Sequence, residues 1–221
     1  MKLHYFHGRG RAQQSRWALA AAAMPFVNVC LSTAADFDEL CGTGKLAYRQ
    51  VPMLEEEGGR CISQSMAIVR HAARQGNLYG TTADEAARID EVLDGISDAR
   101  GAIVSYPFMQ DPGEATARLQ QSAARFFPCF EAIIERNAQP PFAVGANLTI
   151  ADVLLAELVE SCCEAMGGDE LVAPFPRLKA VHAHVLGLPQ IRAFMGGENW
   201  FAFPKGDVGA TYVRNVRTVL A

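Results

Sequence analysis

The chain has 221 residues, half of them apolar, enough for one large core or two modest ones, and its 24 acidic residues against 20 Lys and Arg give a formal net charge of −4. No basic excess is available to neutralise a phosphate backbone, which argues against nucleic acid as a partner. The most membrane-like run, WALAAAAMPF at 17–26, is ten residues against the roughly 20 of a spanning helix and comes too late for a secretory signal, so no membrane association and a cytoplasmic location are expected.

Along the chain, Leu3 to Phe6 reads as a strand, Gly10 to Met24 as a helix with Trp17, Leu19 and Ala20 on its apolar side, and Val27 to Leu31 as a second strand. A βαβ unit implies a parallel pair. A polar stretch at 33–49 reads as irregular, and VPMLEEEGGRCIS then reads as an antiparallel hairpin about Gly58-Gly59, followed by a helix from Met66 to Arg74. This order is that of a thioredoxin-like domain. After NLYGTT the character changes to helices: Thr82 and Glu85 form a capping box ahead of Ile89, Val92, Leu93 and Ile96, and residues 115–137 repeat the pattern with a kink expected at Pro128. A third helix opens at Thr149 with Asp152 completing a second box; its run from Val153 to Cys163 is apolar apart from Glu157 and Glu160, as in the centre of a bundle. Shorter helices are expected at 176–186 and 189–195. The fold class is therefore α/β plus all-α, with a thioredoxin-like βαβ-α-ββα domain over residues 1–80 and an all-helical domain over 81–221.

Several groups invite chemical readings. Six cysteines, at 30, 41, 61, 129, 162 and 163, form no Cys-x-x-Cys pair, and most are expected to be reduced and buried, with Cys41 the least certain. His182 and His184 lie two apart and cannot face one another on a helix, so no metal site is expected there. Asp90, Asp94 and Asp98 stack three carboxylates on one helix face, which calls for solvation or a nearby cation. In LHYFHGRGRAQQSRW a tyrosine and three arginines gather where the first strand hands over to the first helix, the place where a dithiol oxidant of this architecture carries its cysteines. Pro52 at the start of the hairpin is compatible with a cis or a trans bond, and Ser65 at a helix start is either a plain N-cap or an anion site.

The stretches LHYFHGRGRAQQSRW, QVPMLE, SQSMAI, NLYG and NLTIAD, in that order and from residue 2 to about residue 195, resemble the cytosolic glutathione transferases of the tyrosine-using alpha, mu, pi and sigma group. The resemblance implies that Tyr5 donates a hydrogen bond to the sulfur of bound glutathione, with Arg11 adding positive charge, so that the thiol ionises. A free thiol, with a pKa near 8.5, is only a few per cent thiolate at neutral pH, and the thiolate is the nucleophile. It further implies a cis Pro52 that frees the Val51 backbone to pair with the cysteinyl residue, Gln50 at the glycyl end, and Gln64 and Ser65 on the γ-glutamyl carboxylate. Lys45 and Arg49 are candidates for the glycyl carboxylate. Asp98 is expected to reach the ligand ammonium across a homodimer, and Tyr48 to act as an aromatic key in the neighbouring subunit, although Glu91 stands where an apolar wall of its socket is expected. The electrophile site is expected at Phe6, Ile103, Tyr106 and Phe108, with Trp200, Phe201 and Phe203 either capping it or docking the tail. Glutathione would be the co-substrate, with no metal. Two rivals are a sigma-type prostaglandin isomerase that returns its glutathione and a non-enzymatic hydrophobic-ligand-binding or structural member.

Overall fold

The computed structural model describes all 221 residues. Strand β1 (Lys2–Phe6) leads through the turn at residues 7–11 into α1 (Ala12–Ala21) and back to β2 (Val27–Leu31). After α2 (Ala34–Gly42) come β3 (Met53–Glu55), β4 (Cys61–Ser63) and α3 (Ser65–Gln75). The sheet order is β2-β1-β3-β4; the parallel β1/β2 pair and the antiparallel β3/β4 hairpin are those the βαβ and hairpin signals predict, and β1 joins the two by pairing antiparallel with β3. Tyr5 on β1 lies opposite Cys30 on β2.

The expected irregular stretch at 33–49 is partly helical. Thr33 and Asp36 close a capping box that starts α2: Thr33 Oγ1 accepts the Asp36 N–H, and the Asp36 carboxylate accepts N–H groups from Ser32 and Thr33 at 2.7 and 2.9 Å. Those backbone donors, Ser32 first, hold the Asp36 carboxyl below its usual range. Only Leu40 of this helix is buried, so hydrophobic periodicity could not reveal it.

The remainder is helical: α4 (Ala83–Ala99), α5 (Gly101–Ser105) running into a 3₁₀ turn (Tyr106–Phe108), α6 (Pro112–Arg136), α7 (Ile150–Met166), α8 (Pro176–Gly187), α9 (Pro189–Met195) and α10 (Gly206–Val219). No helix is long and apolar enough to cross a membrane. Helix α6 continues through Pro128. The Thr82 box is half formed, because Glu85 reaches past Thr82 to the N–H and hydroxyl of Thr81. In α7 the Asp152 carboxylate accepts the Ala143 N–H at 2.6 Å and both the N–H and hydroxyl of Thr149, tying the preceding loop to the helix start.

Helix α1 packs on α3, α7 and α9 and reaches β2 through the Arg16–Asn28 bond, and nine of its ten residues are buried, including Gln13, Gln14 and Arg16. The acidic stripe on α4 does find a cation: Arg70 from α3 bonds Asp90 at 2.6 Å and Asp94 at 2.9 Å. Burial works to raise the Asp90 carboxyl, yet hydrogen bonds from Tyr79 and Arg70 outweigh it and leave the carboxyl below its usual value. All six cysteines are free; only Cys162 is fully buried and Cys129 is exposed, so burial is less general than expected. His182 pairs with Glu160 at 2.8 Å and His184 lies edge-on to Phe142.

Candidate active site

The turn between β1 and α1 is built around one phenol. Tyr5 is 4% exposed, and its ring packs edge-to-face on Phe6. Helix α1 begins after Arg11, which has no side-chain cap; instead the Arg11 N–H donates to the Tyr5 oxygen at 2.9 Å. The phenol oxygen therefore sits at a helix N-terminus, where the peptide dipoles favour negative charge. Gly10 makes this approach possible: it adopts φ +40°, and a β-carbon there would collide with the hydroxyls of both Tyr5 and Tyr212.

The three arginines of the junction have different roles. Arg9 is buried; it forms an ion pair with Glu164, donates Nε–H to the Phe201 carbonyl at 2.6 Å and lies over the Trp200 ring, so it docks the tail segment. Arg16 is fully buried and has no carboxylate partner: Nε bonds Asn28, while Nη1 bonds the carbonyls of Gly8 at 2.9 Å and Arg9 at 3.3 Å, fixing the turn from behind. Burial lowers its pKa to about 10, which leaves it charged at neutral pH, with its guanidinium 6.0 Å from the Tyr5 ring centre. Only Arg11 lines the cavity in front of Tyr5.

That cavity, of about 500 Å³, has a polar side and an apolar side. From the sheet unit come Tyr5, Arg11, Arg49, Gln50, Val51, Pro52, Gln64 and Ser65 together with Phe6 and Phe37; from the helices come Val104, Phe108, Tyr212, Val216 and Leu220. Its lining carries two arginines and no carboxylate. The Val51–Pro52 bond is cis, and Arg49 and Gln64, which flank the hairpin and line the cavity, take positive φ of 50° and 74°. Gln64 Nε2 donates to Gln50 Oε1 at 3.2 Å, and α3 starts at Ser65 with its first N–H groups unpaired within the helix, as at every helix start. A second cavity of about 540 Å³ shares Arg11, Gln64, Ser65, Val104 and Phe108 with the first and extends it toward Gln14, Ser97 and Ser105.

Ten of the fourteen expected site residues thus come together: Tyr5, Phe6, Arg11, Arg49, Gln50, Val51, Pro52, Gln64 and Ser65 from the sheet unit, and Phe108 from the helical one. Four do not. Lys45 is held by Glu55, which also bonds His4, and it is absent from the cavity wall. Ile103 is buried behind the wall, and Tyr106 packs edge-on to Phe203; Val104 between them faces the cavity instead, because consecutive residues of a helical turn point in different directions. Asp98 is exposed on α4, away from the cavity of its own chain. Among the tail aromatics, Trp200, Phe201 and Phe203 dock the tail on Arg9, Arg16 and Tyr106, while the cap on the cavity is α10. Helix α10, with Tyr212 and Val216 on the cavity side and Leu220 just past its end, lies in the tail, where no helix is expected; its signal is the apolar spacing Tyr212, Val213, Val216, Val219.

The chain is similar to known proteins over most of its length. The family model described as glutathione S-transferase, N-terminal domain, matches residues 1–74, and the one described as glutathione S-transferase, C-terminal domain, matches residues 97–197. Glutathione S-transferase alpha I of Oryctolagus cuniculus is 36% identical over 197 residues, covering 87% of this chain and 86% of the relative. Glutathione S-transferase A2 of Homo sapiens is 37% identical over 198 residues, covering 88% and 87%. Among solved structures, NaGST-2 superposes with a TM-score of 0.76 at 27% identity over 89% of this chain and 96% of that one. The glutathione S-transferase from Ascaris lumbricoides gives 0.73 at 25% identity over 88% and 95%. With a thioredoxin-like sheet unit, a helical unit and a tyrosine-headed cavity between them, and with matches spanning most of its length, this chain belongs to the glutathione S-transferase family.

Proposed function

We propose that this chain joins the thiolate of reduced glutathione to apolar electrophiles, as a cytoplasmic homodimer with a detoxifying role. The observation that carries the reading is the Tyr5 oxygen, fixed by the Arg11 N–H at the wall of a cavity that holds cations but no carboxylate. With one lone pair engaged by that N–H, the phenol proton is free to donate to a sulfur in the cavity. A donor to the charged form lowers a thiol's pKa. The thiol proton leaves for solvent, the sulfur lone pair forms the bond to the electrophilic carbon, and the leaving group departs with its electrons. Holding sulfur and carbon together supplies the rest of the acceleration.

In this reading the tripeptide lies along the polar wall. Val51, which lines the cavity, pairs through its backbone with the cysteinyl residue as an added strand. Gln64, Ser65 and the start of α3 hold the γ-glutamyl carboxylate. Gln50 and Arg49 serve the glycyl carboxylate; Lys45, engaged by Glu55, is left out. The electrophile occupies the apolar wall of Phe6, Val104, Phe108, Val216 and Leu220. We take residues 1–80 as the glutathione-binding domain and 81–221 as the domain that adds this wall.

Two features support the dimer. Tyr48 is 65% exposed, the largest such exposure of an aromatic side chain here, and a surface cleft of about 410 Å³ between α4 and α6 is lined by Val92 and Ile133 with Glu91 on it. Glu91 is paired with Arg88 at 2.7 Å, so its charge is met before an aromatic ring from a partner arrives. Asp98 then reaches the γ-glutamyl ammonium of the other subunit. Glutathione-dependent conjugation of an aryl halide, followed by absorbance, tests the function: turnover should require glutathione, and a rate equal to that of buffer rejects the reading. Asp98→Ala should weaken glutathione binding roughly tenfold without lowering the midpoint of urea unfolding, the size of one charge-assisted hydrogen bond; equal affinity rejects the cross-subunit contact.

A further inference from the structure

The C-terminal helix brings a second phenol to the sulfur position, beyond residue 197, where the family match ends. Tyr212 is 4% exposed, and its hydroxyl lies 3.4 Å from that of Tyr5. The turn is shaped for it: a β-carbon on Gly8 would strike the Tyr212 ring and one on Gly10 its hydroxyl, so two glycines leave the space the side chain fills. Helix α10 is held in place by Asn215, which accepts the His7 N–H at 2.8 Å and donates to the Leu31 carbonyl at 2.9 Å, and by the edge of Phe108 on the Tyr212 ring.

We infer that Tyr212 is a positioning residue for the sulfur chemistry: its hydroxyl donates to the Tyr5 oxygen, so that the Tyr5 proton is directed at the ligand thiol. The inference rests on the function proposed above. Tyr5 is the single hydrogen-bond partner of the Tyr212 hydroxyl, and a buried donor goes to the acceptor within reach. With Arg11 N–H and Tyr212 O–H both donating, the two lone pairs of the Tyr5 oxygen are filled and its own proton has only the cavity to point into. Each bond in such a chain polarises the next, so donation to a thiolate strengthens. Burial raises the Tyr212 phenol, with Tyr5 adding to the effect, which keeps Tyr212 protonated as a donor. The ionisable groups around the pair are Arg11 just before α1, Arg16 on α1, Cys30 beside Tyr5 on β2, Arg49 across the cavity, and, on the far side of Tyr212, Arg9 with the mutually paired Arg100 and Glu157; α2 and the 3₁₀ turn present Phe37 and Phe108, which do not titrate.

The test is the absorbance of the glutathione thiolate on the enzyme, titrated with pH, in Tyr212→Phe, Tyr5→Phe and the double variant. Tyr212→Phe should move the midpoint up by about half a pH unit and lower kcat at pH 6.5 about threefold, with KM for glutathione within about twofold. In the Tyr5→Phe background the same change should have no further effect on the midpoint, which a general loosening of the helix would not produce. An unchanged midpoint overturns the inference alone. A lowered midpoint also overturns it, since Tyr5 would then be donating to Tyr212 in competition with the sulfur. Absence of any bound thiolate in the unsubstituted protein overturns both this inference and the proposed function.

Discussion

Tyr5→Phe is expected to lower kcat/KM for conjugation about a hundredfold at pH 6.5, and to move the midpoint of its pH profile upward, while changing glutathione affinity little. The size follows from removing one preorganised donor aimed at a developing or resting anion, which typically costs ~10²-fold or more. The direction follows from the site's construction. Phenylalanine keeps the ring against Phe6 and the shape of the cavity, but leaves the sulfur facing Arg11 and the buried Arg16 charge without a hydrogen bond. Those cations still favour the thiolate, so the lost rate should be partly regained at high pH, where thiol ionises unaided. The Arg11 N–H also loses its acceptor, a cost of about 1–2 kcal/mol that unfolding experiments will register separately from the pH profile. A pH–rate profile superimposable on that of the unsubstituted protein would remove Tyr5 from the chemistry, whatever the change in stability.

The parts of this molecule that were legible in the sequence are those whose signals are local. Strand β2 reads from Val27 to Leu31 to the residue, and the hairpin about Gly58-Gly59 and the box at Thr149 and Asp152 are all short-range patterns. Helix α2 carried a local signal too, Thr33 and Asp36, but with one buried residue it offered no periodicity to confirm it. The polar wall of the cavity came from matched motifs and proved contiguous. The apolar wall did not, for two physical reasons. Ile103 and Val104 are neighbours in sequence, and which one faces a cavity depends on how α5 is rotated by its packing. The α10 contribution depends on the chain returning over the sheet after residue 200, a long-range event masked by glycines at 206 and 209 that weaken helix propensity. Arg16 was unreadable for a related reason: α1 is covered on all sides, so a charge that periodicity assigns to a surface lies at the centre.

The other large effect concerns the joint between the two units. Glu157 and Arg100 are 1% and 3% exposed and form an ion pair; Ser161 donates to Glu157 at 3.1 Å, and Arg100 Nη2 donates to the Gly10 carbonyl at 3.2 Å. The pair thus connects α7, the end of α4 and the turn that presents Tyr5. Glu157→Ala should destabilise the protein by roughly 3–5 kcal/mol, because it strands a buried guanidinium whose desolvation nothing then offsets. For a chain of this length that corresponds to a fall in melting temperature of about 10 °C. Arg70→Ala, which breaks the partly exposed pair to Asp90 and the exposed one to Asp94, should cost about 1 kcal/mol by the same measurement, since solvent reaches and screens those charges. The two variants separate burial from ion-pair count as the cause. If Glu157→Ala unfolds in urea at the same midpoint as Arg70→Ala, the Arg100 charge has found water or another acceptor, and the joint is not what holds the Gly10 turn. If it unfolds as expected, the residual folded enzyme should also be slower, because an Arg100 seeking new partners pulls on the carbonyl that shares its residue with the contact between the two phenols.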